Sequence, residues 1–319
     1  MVNISLTLTI IHSILYVINL SAYLILIKYL QNTYAYDNFW FNTLLSILLS
    51  PIYLLSVCIK SVKTRIRNYG TSSLFAFLVG FIYTFESILL YYSVNSLNLS
   101  YYTILRSSFI IWNIPFYIYL FKKTPTKLYY LGVIFLLLSY TLIIYYYLNS
   151  NIKLLLPTIA IMVSCLLNAV YNIMIEYSIK KYNIYNLDFH IIFQVSYLIF
   201  AMIPSMKMTI ENPPPITGEV IVLSLFISVC LQLYFYNKII ILQNNSNSVP
   251  SNVLMSGLDL IRRLVLLLFS FLMYKDDFNI YVGVSVLFFL ISGVFIFLEY
   301  LLPFRKKEIV YCEMIEVSV

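Results

Sequence analysis

Charge is what this chain has least of. Asp, Glu, Lys and Arg together make up 10% of its 319 residues, and no stretch is polar enough to form a separate soluble domain. Histidine is nearly absent, since His12 and His190 are the only two and lie in distant segments. There is no glycine-rich phosphate loop, metal-ligand spacing or nucleophile elbow, so enzyme chemistry finds little footing and neither a cofactor nor a metal is expected. The four cysteines, Cys58, Cys165, Cys230 and Cys312, show no paired spacing, which fits free thiols better than a disulfide or metal set.

Hydrophobic residues fill the chain instead, at 61%, with 31 tyrosines and 23 phenylalanines. A spanning helix needs about 20 mostly apolar residues, and charge-poor stretches of that length recur throughout. Ten are expected, at 6–30, 39–60, 71–94, 99–121, 127–148, 152–178, 188–206, 217–242, 249–274 and 279–302. The first lacks a basic n-region and runs long before reaching Lys28, so it reads as a spanning helix rather than a cleaved signal peptide. The fold class is therefore all-α: a polytopic membrane protein of ten transmembrane helices. Pro115, Pro157 and Pro204 are expected to kink their helices, which neighbours in a bundle tolerate.

Cytoplasmic loops carry an excess of Lys and Arg. Twelve basic residues fall on one side: Lys60, Lys63, Arg65 and Arg67, then Lys122, Lys123 and Lys127, then Lys180 and Lys181, then Arg305, Lys306 and Lys307. Only Lys28, Lys153, Lys207 and Lys275 fall on the other. Both termini are expected to be cytoplasmic. The net charge of +7 is then a topological signal that also favours anionic lipid, with no nucleic acid as partner. Tyr91, Tyr92, Tyr101, Tyr102 and Tyr145 to Tyr147 cluster at helix ends, where interfacial aromatic belts form. These features set a side and not an organelle: an endomembrane (Golgi, ER, vacuole or lysosome) or the plasma membrane fits equally.

Four basic residues remain, and all lie inside expected spans. Charges at mid-membrane are costly and mark functional sites by default. Asp259 stands i,i+3 from Arg262 and i,i+4 from Arg263, so the three share one helical face. Glu86 and Arg106 lie about equally far from a turn near Leu97, which brings them to one depth in an antiparallel hairpin. By the same argument Gln232 falls near Asp259, with Lys238 closer to the cytoplasmic end. Arg106, Arg262, Arg263 and Lys238 outnumber Glu86 and Asp259 by two, and arginine recognises phosphate or carboxylate bidentately. A buried carboxylate can also take up a proton, which makes Glu86 a candidate coupling group. A structural reading stands beside this one: Asp259 neutralises Arg263, Glu86 neutralises Arg106, and Lys238 snorkels to the interface. Asn168 and Asn172 share a face and serve either a cavity or helix-to-helix hydrogen bonding.

A faint internal repeat sets Tyr102-Thr-Ile-Leu-Arg106-Ser-Ser-Phe-Ile-Ile-Trp112 against Leu258-Asp-Leu-Ile-Arg262-Arg-Leu-Val265. Each is followed by a short charged loop and a helix containing Gly132 or Gly283. The implied halves are 1–150 and 151–302, with a tail at 303–319. Five helices per half forces the halves into opposite orientations, an inverted repeat with its interface at mid-membrane. On these two motifs the chain resembles the drug/metabolite transporter superfamily, with its EamA-like fold, and within it the solute carrier 35 group, most closely the F6-type members. It departs in having Ser107 where glycine is usual. The resemblance implies a nucleotide-sugar-transporter-like carrier whose cavity is lined by the third, fourth, eighth and ninth helices.

The expected function is secondary active transport of a small polar, anionic metabolite, a nucleotide sugar or a phosphorylated compound, by alternating access. The expected site is Arg106, Arg262, Arg263, Asp259, Glu86, Gln232 and Lys238. Its partners are the solute, the lipid bilayer, a proton or exchanged counter-substrate, and a second copy of the chain if it is a homodimer. The alternative is a non-transporting scaffold or regulator that keeps a carrier fold.

Overall fold

The computed structural model describes residues 2–34, 41–43, 45, 70–121, 127–182, 184, 186–211, 213, 217–244, 251–274 and 279–301. Among them there is no strand. The helices are α1 (Val2–Tyr34), α2 (Thr71–Ser96), α3 (Leu99–Arg106), α4 (Phe109–Phe121), α5 (Lys127–Ser150), α6 (Leu155–Tyr182), α7 (Asn186–Glu211), α8 (Gly218–Asn244), α9 (Ser251–Met273) and α10 (Ile280–Leu301). Six of them, α1, α2, α5, α6, α7 and α8, are long and apolar enough to cross a bilayer, and the chain is a multi-pass membrane protein. All of the expected span at 39–60 except 41–43 and 45, together with Cys58, Cys312, most of the basic loops and the 303–319 tail, lies outside the described residues.

The surface and interior are distributed as lipid demands. Ile10, Ile14 and Ile18 stand on one exposed stripe of α1, and Ile134, Leu137 and Leu138 on α5, whereas serine, threonine, asparagine and arginine fill the interior. With hydrocarbon outside, apolar side chains gain nothing by turning inward, and helices associate through close packing and interhelical hydrogen bonds.

Local chemistry sets the helix boundaries. Between α2 and α3 the chain turns through an extended Leu97, whose N–H donates to Ser93 O at 2.9 Å. Between α5 and α6, Asn151 Oδ1 accepts the N–H of Lys153 at 3.0 Å and starts a short 3-10 turn, Ile152–Leu154. Asn279 caps α10 by accepting the N–H of Val282 at 3.0 Å. Pro157 falls in the first turn of α6, where its missing N–H has no intrahelical partner to lose, so it lies at a helix start rather than at the kink expected. Pro115 and Pro204 lie inside α4 and α7.

Three antiparallel pairings frame the bundle. In α5 against α10, Ser139 and Ser285 exchange hydrogen bonds, each hydroxyl donating to the other's carbonyl at 2.8 Å. One turn or two away, a Cβ added at Gly132 would come within 2.8 Å of Ile296, and the Tyr146 and Tyr281 rings stack at 6.0 Å. In α1 against α8, His12 pairs with Asn237 at 2.7 Å, Tyr16 meets Tyr234 at 5.0 Å between ring centroids, and Tyr34 donates to Glu219 at 2.7 Å. In α2 against α6, Ser93 Oγ donates to Pro157 O at 3.1 Å and Tyr83 crosses Tyr171 edge to face. Helix α7 covers α2 at Gly80, where any side chain would collide with Ser196. On the α8 side, Ser228 Oγ donates to Asn42 O at 3.0 Å.

The expected span 99–121 is two helices. At Ser107 and Ser108 the backbone tightens: Ser107 N–H donates to Ile104 O and Ser108 N–H to Leu105 O, both at 3.0 Å, each one residue short of the α-helical partner. The carbonyl of Thr103 thereby loses its usual N–H donor and accepts the Ser107 hydroxyl at 3.3 Å instead.

Candidate functional site

That carbonyl also receives a side chain from α9. Arg263 Nη1, reaching from α9, donates to Thr103 O at 3.4 Å, and its guanidinium lies 5.0 Å from the centre of the Phe109 ring. Arg263 also donates through Nε to Asp259 Oδ2 at 2.7 Å and through Nη2 to the same oxygen. The other oxygen of Asp259 receives Arg262 Nη2 at 2.6 Å. One carboxylate thus balances two guanidiniums, as the i,i+3 and i,i+4 spacing allows.

The α2–α3 hairpin brings Glu86 and Arg106 together as their depth implies, with Arg106 Nη2 donating to Glu86 Oε1. Arg106 Nη1 donates to Ser164 Oγ on α6 at 2.6 Å, and Cys165 Sγ lies 3.2 Å from Arg106 O. Arg106 occupies the last turn of α3, where the helix dipole favours a cation. All five charged groups are at least 95% buried. Taking such ions out of water costs several kcal/mol apiece unless each is matched by a counter-charge and hydrogen bonds; Glu86 and Arg106 match one to one, whereas Asp259 is shared by two arginines and leaves that cluster one positive charge in excess.

Glu86, Arg106, Asp259 and Arg262 line a single cavity of about 40 Å³. Its wall also holds Tyr23, Tyr83, Tyr102, Tyr171 and Tyr234, with Ser87, Asn168 and leucines from α1, α2 and α8. Six helices contribute: α1, α2, α3, α6, α8 and α9. Among the described residues, two in the wall keep a buried donor without an acceptor, Arg262 at Nε and Tyr102 at its hydroxyl. A volume of 40 Å³ holds a few waters, whereas sites for metabolites run to roughly 300 Å³ and more. The space is narrowed by its own charged and aromatic side chains.

The remaining candidates stand outside this wall. Arg263 is buried behind it. Lys238 does not snorkel: it is 1% exposed, donates to Tyr171 Oη at 2.9 Å and lies 4.2 Å from the centre of that ring. Gln232 pairs with Gln194 of α7, whose Nε2 donates to Gln232 Oε1 at 2.6 Å, beside a smaller cavity of about 10 Å³. Asn172 Nδ2 donates to Asn168 Oδ1 at 2.7 Å within α6, and Asn168 reaches the central wall. Glu176 is buried as well.

The tyrosines are what sequence reading missed. Tyr101, Tyr102 and Tyr147, expected in an interfacial belt, are buried, and Tyr101 stacks on Tyr147 at 4.3 Å while bonding Thr158 at 2.9 Å. Tyr92 and Tyr145 do face outward. The signal available was spacing: Tyr102 precedes Arg106 by four residues and shares its face, and Tyr171 and Tyr234 sit mid-span, away from any belt.

Among the described residues no group of three or more His, Cys, Asp or Glu side chains could hold a metal. No protein-family model matches the chain, and no curated protein matches it.

Proposed function

We propose that this protein is a secondary active transporter that carries a small polar, anionic metabolite by alternating access, built as ten helices in two inverted five-helix repeats of the drug/metabolite transporter type. The observation that carries the reading is convergence: Glu86 and Arg106 from the first half, and Asp259 and Arg262 from the second, line one buried cavity. Closed ion pairs from both halves around a central space are what a carrier needs between substrates, because each pair can open as a solute replaces its partner.

The helix pairings support the repeat. Numbering the ten spans in order, the first packs on the eighth (α1 on α8) and the third on the sixth (α2 on α6). Exchanging each span for its counterpart five places away turns one pairing into the other. The fifth with the tenth (α5 on α10) and the fourth with the ninth (α3 on α9) each map onto themselves. The third with the seventh (α2 on α7) maps onto the eighth with the second, where Ser228 meets Asn42. The serine exchange between α5 and α10 has the reciprocity of a pseudo-two-fold contact. The break at Ser107–Ser108 supplies a discontinuous helix at the site, the usual position of a hinge in such carriers.

The test is counterflow in proteoliposomes holding the purified full chain, preloaded with sugar phosphates, nucleotide sugars and organic acids. Saturable exchange of one anion that Arg262→Ala abolishes supports the carrier; no exchange of any pool member by folded protein contradicts it. Proton coupling through Glu86 predicts a pH-dependent flux that Glu86→Gln renders pH-independent, and an unchanged profile refutes that step. The small size of the cavity favours a second reading, a scaffold that keeps the fold without opening. A scaffold predicts no flux under any condition and tolerance of Arg262→Ala in partner binding.

A further inference from the structure

The transport reading leaves open which cation meets the solute, and the hydrogen bonds distinguish them. Arg106 is engaged by Glu86 and Ser164, and Arg263 by Asp259 and Thr103 O. Arg262 differs: its Nη2 holds Asp259, but its Nε is buried with no acceptor. The Tyr102 hydroxyl, in the wall of the same cavity, is likewise buried with no partner. Native interiors rarely leave buried donors unsatisfied, because the desolvation goes uncompensated. Two in one cavity wall, one of them on a cation, call for an acceptor that arrives from outside and is itself negative.

We propose that the solute's anionic group docks on Arg262 Nε and Tyr102 Oη, and that the substrate is a small monoanion carrying a carboxylate or a single phosphate diester rather than a diphosphate-linked nucleotide. This rests on the carrier reading for the presence of a solute. Glu86, Arg106, Asp259, Arg262 and Arg263 together sum to +1, which one negative charge offsets; a dianion of linked phosphates would have to strip Arg106 or Arg263 from a buried carboxylate, or draw Lys238 from its tyrosines, to find a second cation. A monoanion needs only the open guanidinium edge. The five tyrosine rings then enclose its body with apolar faces and hydroxyl rims, a lining suited to a compact organic acid.

The sharpest variant is Tyr102→Phe, which removes one unpartnered hydroxyl and keeps the ring. The probes are benzoate, pyruvate, dimethyl phosphate and UDP-glucose, their binding read as thermal stabilisation of the purified full-length protein, beside counterflow of the mixed pool. The inference expects a monoanion probe to bind tightest and Tyr102→Phe to weaken it about tenfold or more. The ligand-free midpoint of that variant should be unchanged or higher. Arg262→Lys, which keeps the charge beside Asp259 but has no Nε edge, should weaken the same probe by a similar factor. Monoanion affinity within twofold of native in Tyr102→Phe overturns the inference. So does a lowered ligand-free midpoint, since the hydroxyl would then have a structural partner. Tightest binding of UDP-glucose, or exchange of a pool anion with no monoanion probe bound, overturns the substrate class while the carrier stands. No binding and no exchange by the native protein overturns both.

Discussion

Asp259 is the residue on which the second charge cluster depends, and its removal should cost more than removal of either arginine. Its Oδ1 receives Arg262 and its Oδ2 receives Arg263 twice over, and all three residues are at least 95% buried. Asp259→Asn therefore leaves two guanidiniums in contact with no counter-charge, whereas Arg263→Gln leaves Asp259 and Arg262 as a matched pair. Stripping one partner from a buried ion pair costs about 3–5 kcal/mol. At roughly 2–4 °C per kcal/mol, Asp259→Asn should lower the unfolding midpoint by about 6–20 °C. Arg263→Gln should lose about a third of that, mainly its bond to Thr103 O and its contact with Phe109. Combining the two removes one of the stranded cations, so the double variant should be more stable than Asp259→Asn alone. Thermal unfolding of the purified protein in nanodiscs, followed by tryptophan fluorescence, measures all three. A double variant at or below the sum of the single losses, or Arg263→Gln as damaging as Asp259→Asn, would refute the shared-carboxylate account.

Close helix contacts give the next predictions. Gly132→Val should destabilise by about 1–3 kcal/mol because its Cβ meets Ile296 and the Ser292 carbonyl. Gly293→Ala, with open space around it, should stabilise by up to about 1 kcal/mol; equal effects at the two positions in thermal unfolding would contradict the packing. A double-mutant cycle of Ser139→Ala and Ser285→Ala should return a coupling of about 0.6 kcal/mol, the usual size for hydrogen bonds between membrane helices, and zero coupling would deny the reciprocal pair. Lys238 is a buried ammonium whose contacts are tyrosines, so Lys238→Met should be neutral or stabilising in the same assay. A loss above about 2 kcal/mol would place a carboxylate partner beside it.

The parts legible in the sequence were those governed by one helix or one hairpin. The spans at 71–94, 127–148, 152–178, 188–206 and 217–242 follow from apolar length alone, and the Asp259 cluster from i,i+3 and i,i+4 spacing. Glu86 met Arg106 because both are set back equally from the turn at Leu97. What escaped depends on contacts between distant segments. The break at Ser107 is stabilised by Arg263 arriving from α9, about 160 residues on, to satisfy Thr103 O. Gln232 finds Gln194 rather than the central charges because it stands on the face of α8 turned to α7, while Tyr234 takes the face turned to the cavity, and no spacing within α8 reveals which is which. Lys238 stays inside because Tyr171 and Tyr234 offer it ring faces, which its position near a helix end gave no reason to expect. Tyrosine count marks a membrane protein but does not separate a belt from a cavity wall, and Tyr102 needed the position of Arg262 to become a candidate.

The central claim is that the charged cavity opens alternately to both sides of the membrane. Its most direct test is a single cysteine at Ser87, a wall residue, in a background with the native cysteines replaced, probed in proteoliposomes with a membrane-impermeant thiol reagent applied to one side at a time. The account predicts labelling from both sides, in a ratio that the transported anion shifts. Labelling from one side only, unmoved by any anion that binds, would contradict it.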